Sequence, residues 1–259
     1  MAVPTEDPFI WKDGKMIDLG TLGGTCGVPN AMNNRGQVVG ESNIAGDLTA
    51  HPFLWDGKKM IDLGTFGGDS GQANWINEAG DVVGSAFTKD AQASLAFLWK
   101  DGVLTNLGTV QGDTCSNALG INSKRQVVGV STETCAYVTD QRHAFLWEND
   151  QMIDLNIFLL PNSDLQQLTD AYNINDRGEI VGLGVPQGCG DEFSCGHVFV
   201  LIPCDENHPG IEGCDYSMAD SAAVSTSAAP IHVPSGTRRS PQSRRANRLH
   251  IPGLQTPSR

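Results

Sequence analysis

The sequence predicts an all-β fold built from a β-propeller-like repeat. A strand pattern ending in tryptophan recurs at intervals of 44, 44 and 48 residues, which is the length range of propeller blades. The apolar runs are short, β-branched or aromatic, and are interrupted by glycine, of which the chain has 30; both features argue against helices. We expect four-stranded antiparallel blades, four of them plus one extra strand, in an incomplete ring. The marker tryptophans are Trp11, Trp55, Trp99 and Trp147.

Each repeat begins with a predicted hairpin. Its two apolar arms are joined by Asp13-Gly14, Asp56-Gly57, Asp101-Gly102 or Asn149-Asp150, residue types that tolerate the positive φ of tight hairpin turns. Seven residues after each tryptophan comes Asp18, Asp62, Asn106 or Asp154. A general acid or base does not survive replacement by asparagine, so we expect these side chains to cap backbone groups in turns.

A second predicted hairpin follows in each repeat. It starts at Asn33, Asn77, Asn122 and Asn175, and a glycine lies seven residues after each asparagine, at Gly40, Gly84, Gly129 and Gly182. Three of the four turns also contain a glycine, but the third copy has Arg125 in its place. We expect that turn to be slightly strained or differently shaped.

Composition divides the chain into three parts. The repeat domain spans 8–203, with repeats at 8–50, 51–94, 95–142 and 143–196 and a closing strand at 197–203. A cysteine-containing extension at 204–220 and a basic tail at 221–259, expected to be disordered, complete the chain. All 30 acidic residues and 11 of the 17 basic residues precede residue 221, so nucleic acid is not an expected partner. No apolar run is long enough to span a membrane, and the first residues do not encode a signal peptide.

The histidines and the irregular loops contain the candidate metal-binding, ligand-binding or catalytic residues. His51, His143 and His197 share one repeat position, which we interpret as a hydrogen-bonding strand end rather than a metal site. We assign no catalytic residue, no metal and no cofactor. The least repetitive loops, 113–116 and 188–196, are where unique binding or catalytic groups are expected; their carboxylates are Asp113, Asp191 and Glu192.

Seven cysteines lie in the predicted loops or after the last strand, a distribution typical of disulfides. The plausible local pairs are Cys115 with Cys135, Cys189 with Cys195 and Cys204 with Cys214, which leaves Cys26 over. A metal site is the rival interpretation, and the absence of any CxxC spacing argues against it.

Several strings resemble the HAF family of extracellular repeat proteins of bacteria. They are 51–55 (HPFLW), 143–147 (HAFLW), 60–68 (MIDLGTFGG) and 37–40 (QVVG). The resemblance covers about residues 8–217, including the closing segments 203–210 and 213–216. It implies export and a propeller-like fold, and it does not imply a known activity.

Family members look longer and begin with a signal sequence and earlier repeats. The strand at 197–201 also lacks a following hairpin partner, so that seventeen strands are predicted where four blades need sixteen. We therefore expect the chain to be the C-terminal part of a larger ring, with an open sheet edge through which it can self-associate.

Two functions remain as hypotheses. The first is a non-catalytic extracellular or cell-surface binding module that contacts a polysaccharide or a protein through loops at one end of the repeats. The second is a carbohydrate-active hydrolase or lyase built on the same repeats. A purely structural surface repeat differs from the first hypothesis only in binding nothing.

Overall fold

The computed structural model describes residues 6–136, 141–160, 162–190 and 192–211, and the backbone of 249–250; the side chains of residues 192 and 193 lie outside this description. The fold is all-β, with one helical turn, α1, at Glu192–Cys195 and two 3-10 turns at Lys89–Ala91 and Leu155–Phe158. The strands are β1 Phe9–Lys12, β2 Lys15–Asp18, β3 Gly23–Met32, β4 Val38–Ile44, β5 Ala50–Trp55, β6 Met60–Asp62, β7 Gly67–Ile76, β8 Val82–Thr88, β9 Ser94–Lys100, β10 Val103–Gly108, β11 Cys115–Ile121, β12 Val127–Thr132, β13 Arg142–Glu148, β14 Gln151–Asp154, β15 Leu165–Ile174, β16 Ile180–Pro186, β17 His197–Pro203 and β18 Leu249–His250.

These strands form one hairpin, β1–β2, and four four-stranded antiparallel sheets. The sheets are β3 to β6, β7 to β10, β11 to β14 and β15 to β18, each ordered as in the chain. Each sheet therefore combines the second hairpin of one sequence repeat with the first hairpin of the next. The predicted all-β class is confirmed, and no closed ring is found within the described residues.

The strand predicted at 197–201 forms β17. It pairs with β16 along most of its length and, at Ile202 and Pro203, with β18. The fourth strand of the last sheet is thus two residues long and comes from the far end of the chain, so most of one edge of β17 is not covered by β18. The rest of the predicted basic tail and residues 212–220 lie outside the described residues.

The glycine of each second strand is required by close packing. The first strand of every sheet carries a β-bulge opposite that glycine, for example between Ala118 and Gly120. A Cβ on Gly129 would collide with the carbonyl oxygen of Asn117 and lie 2.8 Å from the Phe145 ring. The bulge therefore explains why the VVG pattern repeats.

The predicted turns have the expected backbone. In the β9–β10 turn, Asp101 and Gly102 adopt φ of 50° and 86°, as a tight hairpin requires. Arg125 adopts a φ of 59°, the left-handed region that glycine occupies in the equivalent turns. Its guanidinium Nε donates to Asp81 Oδ2 at 2.8 Å in the preceding sheet, so the side chain gains a partner where the backbone is strained.

Consecutive sheets stack face to face. Each of the four apolar clusters draws on two neighbouring sheets, or on the first hairpin and the sheet after it. The equivalent phenylalanines of the third strands are fully buried, and burial of apolar surface between neighbouring repeats stabilises a stacked repeat. These residues are Phe53, Phe97, Phe145 and Phe199.

A ladder of asparagines joins the stack at one end. Each asparagine Oδ1 accepts a backbone N–H from its own turn. The first three also donate from Nδ2 to the carbonyl oxygen of the equivalent asparagine in the next sheet, at 3.1, 3.2 and 3.0 Å. The ladder runs through Asn33, Asn77, Asn122 and Asn175, so the repeated asparagine fixes both the turn and the spacing between sheets.

Candidate binding face

The two ends of the sheets differ. One end carries the short turns and the asparagine ladder, and we call it the ladder end. The other end carries the loops between second and third strands, at 45–49, 89–93, 133–141 and 187–196, and we call it the loop end. Because the loops at this end differ in sequence and the last two are longer, it is the end where a unique ligand site is expected.

Two disulfides close the longer loops. Cys115 is bonded to Cys135 and Cys189 to Cys195, which are two of the three pairs expected from the sequence. Cys204 is also disulfide-bonded, but its expected partner, Cys214, lies outside the described residues. The covalent links restrict the conformations of these two loops.

Cys26 is a free, half-buried thiol. It occupies the repeat position of Cys115, and its Sγ lies 3.9 Å from Glu6 Oε2. Burial, followed by the charge of Glu6, raises the pKa of the Cys26 thiol above its ordinary value. The thiolate is therefore disfavoured, and Cys26 is poorly suited to act as a nucleophile.

The repeat-position histidines pair with carboxylates. His51 Nδ1 lies 2.9 Å from Asp62 Oδ2, and His143 Nδ1 lies 2.9 Å from Asp113 Oδ2. His197 is exposed at the start of β17. His51 and His143 therefore hydrogen-bond at strand starts, and their partners belong to different structural elements.

Asp113, chosen from the sequence as a carboxylate in an irregular loop, is buried beneath His143, with 3% of its side chain exposed. It connects the loop before β11 to the start of β13. Asp191 and the side chain of Glu192 lie outside the described residues. The three carboxylates are therefore not shown to form one site.

A buried ion pair at the loop end occurs in one repeat only of the described part of the chain. Arg142 Nε donates to Asp170 Oδ2 at 3.2 Å, and both side chains are largely buried. The Arg142 carbonyl accepts a hydrogen bond from Gln167 Nε2 at 2.8 Å. The pair joins β13 to β15 across two sheets, and neither residue recurs in other repeats, so sequence periodicity does not reveal it.

The repeated carboxylates after each tryptophan have the predicted capping role. Asp18, Asp62 and Asn106 each accept, through Oδ1, the backbone N–H of the glycine two residues later, at 2.7 to 2.8 Å. Asn106 does this as well as aspartate because only one acceptor oxygen is used. Among the described residues, no group of three or more His, Cys, Asp or Glu is arranged to hold a metal ion.

A polar groove of about 340 Å³ lies near the loop end and crosses the first three sheets. The amide of Asn117 at its edge is oriented by Asn74 Nδ2, which donates to Asn117 Oδ1 at 2.7 Å. Five of the seven lining side chains carry a hydroxyl or an amide, one carries a carboxylate and one is a half-buried aromatic ring; Ser85 and Ser94 are buried residues. The side chains are those of Glu41, Ser70, Gln72, Ser85, Phe87, Ser94 and Asn117.

Such a lining suits a ligand rich in hydroxyl groups. Hydroxyls and amides both donate and accept hydrogen bonds, and an aromatic ring provides an apolar surface. No sequence motif marks this groove, because Gln72, Ser85 and Asn117 come from three different strands. The one indication in the sequence is that polar residues such as Gln72 and Asn117 interrupt the apolar pattern of the first strand of each sheet.

Comparison with known proteins found no matching family model, no matching curated protein and no matching solved structure. No helix among the described residues is long and apolar enough to cross a membrane.

Proposed function

We propose that this chain is a non-catalytic extracellular binding protein that holds a neutral polysaccharide segment in the polar groove. The proposal rests on the groove. Its amides and hydroxyls can form hydrogen bonds with the hydroxyl groups of a sugar, and Phe87 can contact the apolar face of a sugar ring. Its size of about 340 Å³ lies in the range of small-molecule pockets.

The disulfides support an extracellular location. Cys115–Cys135 and Cys189–Cys195 persist in oxidising surroundings and are rare in reducing ones. The resemblance to the HAF repeat proteins points to the same location, and we propose membership of that family on the HPFLW, HAFLW and QVVG strings. A cell-surface protein of this kind meets polysaccharides directly.

We further propose that the sheets are propeller-type blades. Consecutive first strands pack closely, and Asn30 and Asn74 donate across them to Ala73 O and Ala118 O at 2.9 and 2.8 Å. The fourth strands make fewer contacts with one another. Sheets that converge at one edge and spread at the other are typical of blades around an axis.

The groove favours binding over hydrolysis. Glu41 is its one lining carboxylate, whereas glycoside hydrolysis ordinarily uses a pair of carboxyl groups on either side of the scissile bond. The buried Asp113 pairs with His143 and is not among the groove-lining residues.

Calorimetric titration against a panel of neutral and acidic polysaccharides tests this function. We expect saturable binding of at least one neutral member, weakened tenfold or more by Gln72→Ala, which removes an amide from the groove wall. Gln92→Ala is the matched control, because Gln92 is exposed in the loop at 89–93. Binding to no panel member, or equal binding by wild type and Gln72→Ala, would contradict the proposal. Release of reducing ends in the same mixtures would favour the hydrolase.

A further inference from the structure

The two ends of the stack expose apolar residues whose equivalents inside the stack are buried or partly buried. We call Phe9, Trp11 and Met16 of the β1–β2 hairpin the first face, and Val181, Val198 and Val200 of the last sheet the last face. Apolar patches of this kind on a soluble protein mark contact surfaces.

The first face repeats one half of the internal interface. Phe9 and Trp11 are 56% and 66% exposed, although their equivalents Phe53 and Trp55 are 0% and 9% exposed. Inside the stack, these aromatic positions pack against the preceding sheet, as Phe97 and Trp99 pack with Val39 and Leu54. The first face therefore presents the aromatic half of a sheet-to-sheet contact.

The last face repeats the other half. Val181 and Val200 form a cross-strand pair, as Val39 and Leu54 do in the first sheet. Val181 and Val200 are 39% and 42% exposed, whereas Val39 and Leu54 are 0% and 3% exposed. The last face therefore presents the aliphatic half of the same contact.

The charges at the ladder end are complementary as well. Lys12 and Lys15 flank the turn of the β1–β2 hairpin. The last turn of the stack carries Glu179 beside Arg177, with Asp205 close to it through His208, whereas Asp176 accepts the Ser123 N–H of the preceding sheet. Stacking the first face on the last face would bring the two lysines towards this mainly acidic turn.

We propose that the first face of one copy stacks on the last face of a second copy. The contact reproduces the internal interface, with Phe9 and Trp11 of one copy against Val181 and Val200 of the other. It is heterologous, so the copies build either a closed ring or an open chain that keeps one free face of each kind at its ends. It does not depend on the proposed sugar groove.

Light scattering during size-exclusion chromatography, on samples from dilute to concentrated, tests the stacking with two single variants. Trp11→Lys places a charge on the first face, and Val200→Lys places one on the last face. We expect the wild type to grow in mass with concentration and each variant to remain monomeric. Because Trp11→Lys keeps an intact last face and Val200→Lys an intact first face, an equimolar mixture is expected to form dimers and nothing larger.

Val103→Lys is the matched control, since Val103 is 62% exposed and belongs to neither face; it should associate as the wild type does. Val198→Lys provides a second charge on the last face if Val200→Lys folds poorly. A monomeric wild type at every concentration would overturn the proposal. Continued association of either face variant alone, or a mixture that stays monomeric, would also overturn head-to-tail stacking.

Discussion

Asn122 Nδ2 donates to the carbonyl oxygen of Asn175, 53 residues later, over 3.0 Å. The Oδ1 atom of Asn122 accepts the backbone N–H of Lys124 and of Gln126 in its own turn, both at 3.0 Å. One buried amide thus closes a turn and joins two sheets. Its Oδ1 serves only its own turn, whereas its Nδ2 joins the sheets and also donates to Gln126 Oε1 at 2.7 Å. A substitution that keeps the acceptor and removes the donor can therefore be used to test the contact between sheets.

Asn122→Asp should keep the turn and break the connection between sheets. The carboxylate can still accept from the turn, but it has no donor for the Asn175 carbonyl and places a charge in a buried site. We expect a loss of about 2 kcal/mol in the free energy of unfolding, measured by urea denaturation. Asn207→Asp, at an exposed position, should change stability little. Equal stability of Asn122→Asp and wild type would exclude a structural role for the ladder.

The strained turn at Arg125 predicts an order of stability between two variants. Arg125→Ala removes the contact with Asp81 and keeps a side chain at a φ of 59°. Arg125→Gly removes the same contact but relieves the backbone strain, which is worth about 1 kcal/mol. Arg125→Gly should therefore have a higher melting temperature than Arg125→Ala, and the reverse order would show that the turn is unstrained.

Gly129→Ala should prevent stable folding. Its methyl group would overlap the Asn117 carbonyl and approach Phe145, and the bulged first strand has no room to retreat. Gly190→Ala is the control, because nothing lies within 4 Å of a Cβ there. Circular dichroism and solubility compare the two variants. A folded Gly129→Ala protein would mean that the first strand can move away from the second.

Acid should loosen the last turn through Glu179. The hydrogen bond from Asn175, and then the charges of Arg177 and His208, hold the pKa of Glu179 below its ordinary value. A carboxyl group with a lowered folded-state pKa stabilises the fold above its unfolded-state pKa, and this contribution is lost as the pH falls through the folded-state pKa. Thermal melts from neutral to acidic pH should therefore decline less for Glu179→Gln than for wild type. Parallel declines would assign the acid sensitivity to other groups.

The two described disulfides should differ in effect. They close loops with sequence separations of 20 and 6, so the chain-entropy model gives about 3 and about 2 kcal/mol of stabilisation. The double variant Cys115→Ser/Cys135→Ser should consequently be less stable than Cys189→Ser/Cys195→Ser, by chemical denaturation under non-reducing conditions. The burial of Cys115 adds to this difference. A larger loss in the second variant would contradict the ordering.

Periodicity in the sequence was sufficient for the strands, the turns and the capping role of Asp18 and its equivalents, because each depends on neighbouring residues. It did not show that the sheets combine hairpins from two repeats, since that depends on which faces pack. It also missed the Arg142–Asp170 pair and the groove around Gln72. These features are made by residues that are distant in sequence and occur once, and no local pattern reports them.

Hydrogen exchange of the full chain, with and without a soluble neutral oligosaccharide, tests the proposed binding site most directly. We predict slower exchange in the segments that line the groove, 70–72 and 85–87, with no change in the ladder-end turns at 33–37 and 122–126. Slower exchange confined to the ladder end, or no change with any oligosaccharide in the panel, would contradict the assignment of this groove as the ligand site.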